Sequence, residues 1–339
     1  MPPLTRKFSG SLFIGVAAAV VLLSEVGRTE FPLNPAAAEA YSSRHGGTAL
    51  MISSVGRPEF ASFRSGIHRH SPVRVLSITK SLTALACLQL RGLALDQVVR
   101  PASEPVTLRH LLSQTSGLAT GYEKLYQKNV LDVRRTAANL PQVSPPGKSF
   151  CYGPSHFELL GAVLSPDTAH PDRAREVLTK FLNHLGVSPV DWRTDRGGRI
   201  YLSTGAMLTP EDLLKIGRYV LKVRNRRVPS SKDGKIQATW RGSAANPAYG
   251  LGFWLNNPGE NARESDIETA LATKSKQGNW NRMSLSNAAP QDLICMAGSG
   301  GQRVYILPSL GTVVVRLGRP SDFQDPLFLK ALFSPKKPE

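Results

Sequence analysis

Strand patterns lie near the two ends of this chain, and helical patterns fill most of the middle. Residues 48–53 and 59–63 read as two strands around a turn that contains Gly56 and Pro58, and strand patterns return only in the last third. Strands so far apart can share one core only by pairing with each other. The order therefore predicts an α+β fold, with one antiparallel sheet formed from both chain ends, flanked by helices and interrupted by a helical insertion at about residues 92–240. The active site is expected in the cleft between the two lobes.

Periodicity and turn residues predict the individual elements. Helices are predicted at residues 35–43, 77–91 with a cap at Gly92, 108–114, 130–140, 156–164, 172–185, 211–223 and 326–333. Later strands are predicted at residues 250–255, 293–296, 304–307 and 312–317, the last two joined by a hairpin at 308–311.

The composition is that of a globular domain with a basic surface. Of the 339 residues, 41% are hydrophobic and 20% charged, which excludes a disordered chain. The net charge of +17 predicts contact with an anionic environment, such as lipid headgroups or acidic envelope polymers. The densest basic run, residues 222–227, lacks the interleaved aromatic residues of a nucleic-acid site, so no nucleic acid is expected.

The N-terminus has the pattern of an export signal. Arg6 and Lys7 precede an uncharged, largely apolar run at residues 9–24. Residues 1–30 are therefore predicted to be a signal peptide or an uncleaved membrane anchor, and an apolar first helix of the fold is the remaining alternative. Export would place the domain, residues 36–333, in the periplasm or outside the cell. Residues 334–339 are predicted to be a tail.

The three cysteines, Cys87, Cys151 and Cys295, suit neither a disulfide framework nor a metal site. They are interpreted as small buried hydrophobic residues. No metal or organic cofactor is expected.

The clearest chemical signal begins at Ser77. Ser77 opens a predicted helix and Lys80 follows three residues later, so a hydroxyl and an amine share one helix face. A buried lysine with a lowered pKa can accept the serine proton and make the serine nucleophilic. The same spacing at Ser334 and Lys337 lies in a proline-bearing tail, so spacing alone is weak evidence. The apolar helix that follows Ser77 distinguishes the first copy.

Residues 108–118, Leu-Arg-His-Leu-Leu-Ser-Gln-Thr-Ser-Gly-Leu, form a more specific string. With Ser77 and Lys80, this string resembles the serine β-lactamase-like, penicillin-recognising family, close to its class C and esterase branch. Residues 298–302, Gly-Ser-Gly-Gly-Gln, resemble members that hydrolyse 6-aminohexanoate oligomers. The resemblance extends over nearly the whole chain past Ala36. It implies a β-lactamase/DD-peptidase-like fold.

The second motif of the family is a tyrosine, any residue, and then asparagine or serine. Tyr152 matches the first position, and Pro154 stands where the asparagine is expected. The resemblance implies that Tyr152 faces Ser77 and relays a proton to the leaving group, in an anionic or lysine-shared form. The alternative is a core tyrosine with a satisfied hydroxyl. Because Pro154 has no side-chain amide, Ser155 is the candidate that partly replaces it in substrate binding.

The third motif is normally a lysine or histidine, a small residue and glycine on the strand that lines the cleft. Residues 296–298, Met-Ala-Gly, provide the glycine without the cation, and Arg303 is the nearby residue that could replace it. Gly298, Ser299 and Gly300 are predicted to bind substrate through their backbone N–H groups, completing an oxyanion hole with the Ser77 N–H. A phosphate loop does not fit, because a strand rather than a helix follows.

These features together predict a serine hydrolase that acts through an acyl-enzyme. Ser77 is the predicted nucleophile, Lys80 its base and Tyr152 the proton relay, although tyrosine as the base remains open. The expected substrate is a carboxylic ester or an unusual amide. A β-lactamase or DD-peptidase proper, and a non-catalytic envelope-binding protein that keeps the cleft, are the alternatives.

Overall fold

The computed structural model describes residues 33–89, 93–100, 104–164, 172–189, 191–225, 235, 237–256, 262–272, 280 and 283–335. The predicted signal or anchor at residues 1–30, the Gly92 helix cap and residues 336–339 of the tail lie outside the described residues. No helix within the described ranges is long and apolar enough to cross a bilayer.

The described strands and helices are numbered in chain order. The strands are β1 (Gly47–Ser54), β2 (Phe60–Phe63), β3 (Val73–Arg74), β4 (Val98–Arg100), β5 (Val106–Thr107), β6 (Asp191–Trp192), β7 (Ala206–Leu208), β8 (Trp254–Leu255), β9 (Arg263–Glu264), β10 (Met283–Ser284), β11 (Ile294–Gly298), β12 (Gln302–Leu307) and β13 (Thr312–Gly318). The helices are α1 (Pro35–Arg44), α2 (Ile78–Gln89), α3 (Leu108–Leu112), α4 (Tyr122–Leu125), α5 (Val133–Ala138), α6 (Ser155–Leu164), α7 (Arg173–His184), α8 (Pro210–Arg224), α9 (Ile267–Ala272) and α10 (Asp325–Leu332).

Strands from both ends of the chain form the central sheet. Its six strands lie in the order β2-β1-β13-β12-β11-β8, and every neighbouring pair is antiparallel. N-terminal β1 lies directly beside C-terminal β13, with Met51 opposite Val315. Helices α3 to α7 all fall between the N-terminal and C-terminal strands of this sheet. The predicted α+β fold, with an antiparallel sheet from both chain ends and a helical insertion, is confirmed.

Alternate residues of the sheet enter two hydrophobic cores, one on each face. Met296 and Val304 pack in the core that includes α2 and α8, whereas Cys295 and Tyr305 pack in the core that includes α1 and α10. Helix α2 is almost completely enclosed, because every residue from Ile78 to Leu88 is buried. A lysine near the start of this helix is therefore held away from water.

Two predicted elements are shorter in the structure, each for a local reason. The strand predicted at 250–255 is reduced to Trp254–Leu255 because Gly252 takes a left-handed φ of 86°. A Cβ at Gly252 would lie 2.7 Å from the Ala84 Cβ, so this turn presses directly on α2. The helix predicted at 130–140 begins only at Val133, where the Asp132 side chain accepts hydrogen bonds from the first backbone amides.

Candidate active site

Ser77 lies at the sharp turn that leads into α2. The preceding residue, Leu76, has a φ of 51°, a left-handed conformation that costs a residue with a side chain roughly 1–2 kcal/mol. The Lys80 N–H donates to the Ser77 carbonyl oxygen at 3.0 Å, which closes the first helical turn. As predicted from the spacing, Ser77 and Lys80 share one face, and the Lys80 Nζ lies 3.0 Å from the Ser77 Oγ.

Lys80 is 1% exposed, and its amine has few polar neighbours. Its Nζ donates to the Ser203 carbonyl oxygen at 3.3 Å as well as contacting Ser77. Burial lowers the pKa of Lys80 to about 7, although the carboxylate of Glu158 opposes this change. Roughly half of the lysine is then neutral at pH 7, which is the form that can accept a proton.

Tyr152 lies against this pair, with its ring centroid 4.9 Å from the Lys80 Nζ. Burial raises the pKa of Tyr152 above its ordinary value of 10, while a hydrogen bond with the Ser77 side chain opposes the rise. The phenol is therefore protonated at neutral pH. The raised pKa favours the protonated phenol, whose hydroxyl is suited to donate a proton, and the anionic or lysine-shared form stays a prediction.

The loop that carries Tyr152 is held by the 108–118 string. The Gln114 side-chain oxygen accepts from the Gly153 N–H at 2.8 Å, and the Gln114 carbonyl accepts from the Cys151 N–H at 3.0 Å. The backbone N–H groups of both residues next to Tyr152 are thus fixed by one buried residue. Sequence reasoning found the string by its resemblance but did not predict this role for Gln114.

A buried histidine also fixes the loop. The His156 Nε2 donates to the Cys151 carbonyl at 2.7 Å, so its Nδ1 accepts from the Ser116 hydroxyl at 2.8 Å. Burial lowers the pKa of His156 to about 4, which keeps the ring neutral. His156 therefore supports the position of Tyr152 and adds no charge to the site.

Glu158 is a second buried residue that the sequence analysis missed. It is fully buried in α6 and accepts hydrogen bonds from the Leu202 and Ser203 N–H groups, each at 3.0 Å, and from the Ser203 hydroxyl. Its signal in the sequence was a single carboxylate within the apolar run 157–164.

The hairpin between β11 and β12 approaches Ser77 closely. A Cβ at Gly298 would lie 3.3 Å from the Ser77 backbone nitrogen and 2.4 Å from the Val75 carbonyl oxygen, so this position requires glycine. The Gly300 N–H already donates to a Glu268 carboxylate oxygen at 3.1 Å. No described residue accepts a hydrogen bond from the Ser77 or Ser299 N–H.

The third-motif strand supplies no cation beside the cleft. Met296 and Ala297 are buried apolar residues. Arg303 is fully buried, and its guanidinium forms two hydrogen bonds with Asp325, at 2.7 and 3.0 Å, and one with the Gly298 carbonyl at 2.8 Å. Arg303 is therefore occupied by structural partners and does not replace the missing cation.

Two further predicted positions, Ser155 and its neighbour Pro154, are buried at the start of α6. Ser155 is 0% exposed, and its hydroxyl oxygen has no hydrogen-bond partner among the described residues, so its contact with substrate stays a prediction. Within the described ranges, no three His, Cys, Asp or Glu side chains are arranged to bind a metal ion.

Comparison with known proteins adds the family. A family model described as Beta-lactamase matches residues 35–319. A β-lactamase from Mycobacterium bovis gives a TM-score of 0.58 at 20% identity, covering 87% of this chain and 95% of that one. A Bacillus anthracis protein described as a 6-aminohexanoate-dimer hydrolase gives a TM-score of 0.60 at 14% identity, covering 88% of this chain and 77% of that one. A D-stereospecific amidohydrolase from Streptomyces sp. gives a TM-score of 0.58 at 18% identity, covering 88% of this chain and 98% of that one. A search of curated proteins found no match.

At these identities the solved structures show a shared fold, and the family model covers most of the chain. Ser77, Lys80 and Tyr152 meet at the start of α2, within the matched residues. The chain therefore belongs to the Beta-lactamase family, a family of hydrolases that share the β-lactamase fold.

Proposed function

We propose that this protein is a serine hydrolase that forms an acyl-enzyme on Ser77, with a carboxylic ester or an unusual amide as substrate. The observation that carries the proposal is the 3.0 Å contact between the Ser77 Oγ and the Nζ of a buried lysine whose pKa is about 7. A neutral amine at this distance can accept the serine proton at physiological pH.

In acylation, the neutral Lys80 amine takes the Ser77 proton while the Oγ forms a bond to the substrate carbonyl carbon. The carbonyl electron pair moves to oxygen and gives a tetrahedral oxyanion. When the oxyanion collapses, the bond to the leaving group breaks, and the leaving group takes the Tyr152 hydroxyl proton. Lys80 then returns its proton to Tyr152. The raised pKa of Tyr152 supports this assignment of lysine as base and tyrosine as acid.

Deacylation uses the same groups. Water attacks the acyl carbon and loses a proton to Lys80, the bond to the Ser77 Oγ breaks, and the Oγ recovers the proton. The oxyanion is assigned to the N–H groups of Ser77 and Ser299, because these two donors are free of described partners. Gly300 is the weaker candidate, since its N–H is bonded to Glu268.

The charges near the hairpin favour substrates without a carboxylate. The Glu268 side chain is 43% exposed, bonds two hairpin amides and lies 3.4 Å from the Arg303 guanidinium. That guanidinium is buried and is paired more closely with Asp325, at 2.7 Å. An anionic substrate group at this end of the cleft would meet a carboxylate. Neutral esters and amides are therefore proposed ahead of β-lactams and D-alanyl peptides, both of which carry a carboxylate.

The test is covalent labelling combined with a substrate panel. A fluorophosphonate probe is expected to modify Ser77 in the wild type and in Ser334→Ala, the matched control that removes the other Ser-x-x-Lys serine, but not in Ser77→Ala. The p-nitrophenyl ester of butyrate is expected to be cleaved faster than the anionic hemiglutarate ester and than a chromogenic cephalosporin.

Two results would overturn the proposal in different ways. A folded wild type with no adduct and no hydrolysis would leave the non-catalytic binding protein as the better reading. An adduct that persists in Ser77→Ala would remove the assignment of the nucleophile. Faster cleavage of the cephalosporin than of the neutral ester would instead support a β-lactamase.

We also propose that the domain is exported and acts in the periplasm or outside the cell. The basic and apolar pattern of residues 1–30 supports export, and the net charge of +17 supports contact with anionic lipids or envelope polymers. Cell fractionation with an antibody to the folded domain tests the location, and recovery in the cytosol alone would refute it.

A further inference from the structure

A buried carboxylate close to Lys80 has no role in the proposed reaction. Glu158 is 0% exposed, and its carboxylate is connected to Lys80 through hydrogen bonds that both side chains make with Ser203. Burying a carboxylate is costly, and a neutral residue could fill the same space in an apolar helix. The contacts of Glu158 therefore call for an explanation beyond packing.

These contacts form a direct chain from Glu158 to the lysine amine. The Glu158 oxygens bind the Ser203 N–H at 3.0 Å and the Ser203 hydroxyl, and the carbonyl of that residue accepts from the Lys80 Nζ at 3.3 Å. A neutral amine has two N–H bonds and one lone pair. When one N–H is fixed on the Ser203 carbonyl, the lone pair is free to face the Ser77 hydroxyl 3.0 Å away.

The charges around Lys80 point in the same direction. Three neighbouring titratable groups, His156, Tyr152 and Tyr126, are neutral near pH 7, because burial lowers the pKa of the histidine and raises that of both tyrosines. The charge that acts on the pKa of Lys80 is the carboxylate of Glu158, whose own pKa is raised by burial, while hydrogen bonds from Ser203 and Leu202 oppose that rise. Arg134 of α5 is a cation that also interacts with this carboxylate. The protonated amine formed during acylation is thus balanced by this carboxylate.

We propose that Glu158 is a positioning residue for Lys80: it fixes the Ser203 carbonyl that orients the lysine amine, and it balances the charge of the protonated amine. The inference rests on the proposed role of Lys80 as the base. Glu158 acts through Lys80 and touches no reacting atom.

Two variants separate charge from position. Glu158→Gln removes the charge, so Lys80 should lose its proton more easily. The midpoint of kcat/KM against pH is expected to move from about 7 to lower pH by about one unit, with a ten- to hundredfold lower plateau. Glu158→Asp keeps the charge on a shorter side chain, so the plateau should fall while the midpoint stays near 7.

The controls distinguish this role from a structural one. Glu176→Gln changes an exposed carboxylate on α7 and should leave the rate and the midpoint unchanged. An unshifted midpoint in folded Glu158→Gln would overturn the charge balance, and wild-type rates in Glu158→Asp would overturn the positioning role. If Glu158→Gln does not fold, the plateau of Glu158→Asp decides. Failure of the proposed function itself would look different, because the wild type would then show neither a Ser77 adduct nor hydrolysis.

Discussion

Replacement of Lys80 by methionine should stabilise the folded protein while abolishing its activity. Methionine has a similar length and no charge, so it can occupy the same buried space beside Ser77 without desolvating an ammonium group. A lysine that is 1% exposed is expensive to bury in its charged form. The cost appears as the fall of its pKa from 10.5 to about 7.

The size and sign of the effect follow from this fall. Each pKa unit corresponds to about 1.4 kcal/mol, so charging Lys80 in the folded state costs on the order of 5 kcal/mol. The unfolded chain keeps the proton up to about pH 10.5, and the folded chain releases it near pH 7. The cost is therefore complete below pH 7 and disappears as the pH rises towards 10.5, with a slope of at most about 1.4 kcal/mol per pH unit.

Loss of the lysine also leaves the Ser203 carbonyl without its donor, which costs roughly 1–3 kcal/mol. A net gain of about 2–4 kcal/mol at pH 6 is expected for Lys80→Met, shrinking to zero or below near pH 10. Urea unfolding followed by tryptophan fluorescence at pH 6, 8 and 9.5 measures this difference from wild type. Lys330→Met, a change of an exposed lysine on α10, is the control and should show no such trend. A difference that is the same at pH 6 and 9.5 would refute the lowered pKa, and with it the neutral base.

Three further predictions concern the site. The kcat/KM for a neutral ester should rise about tenfold between pH 6 and pH 8, because the neutral fraction of Lys80 rises through a pKa of about 7, and a flat profile contradicts this base. Gln114→Ala should lower kcat ten- to hundredfold and the free energy of unfolding by about 1–3 kcal/mol. The control is Gln89→Ala, which changes an exposed glutamine, and equal losses in both variants would contradict the positioning role of Gln114. Gly298→Ala places a Cβ 2.4 Å from the Val75 carbonyl, so kcat/KM should fall at least about tenfold, and wild-type kinetics would show that the hairpin does not line the site.

Much of the fold was predictable because its signals are local. The apolar runs of β1 and β13 can be recognised in isolation, and so can the capping residues of α8, where Thr209 and Asp212 form a capping box. The strand at 250–255 was overpredicted because the conformation of Gly252 is set by its contact with Ala84 of α2. Such a contact between distant segments leaves no local pattern.

The site likewise contains residues that local sequence predicts and residues that depend on distant contacts. Ser77 and Lys80 lie one turn apart on a single helix, so their geometry follows from helical spacing. The role of Gln114 depends on a loop almost 40 residues away, and that of Glu158 depends on a peptide more than 40 residues away. Neither partner can be assigned until the chain is folded, which is why the supporting residues were missed.

The pairing of β1 with β13 has a consequence for the order of folding. The Ser54 and Thr312 hydroxyls, hydrogen-bonded at 2.8 Å, are separated by 258 residues along the chain. Closing a loop of that length costs on the order of 5 kcal/mol of chain entropy before any contact compensates for it. During synthesis, β1 can pair only with β2 until almost the whole polypeptide has been made, because its other partner, β13, is the last strand to be synthesised. We therefore expect slow folding, a late step that closes the sheet, and aggregation of any product truncated before β13.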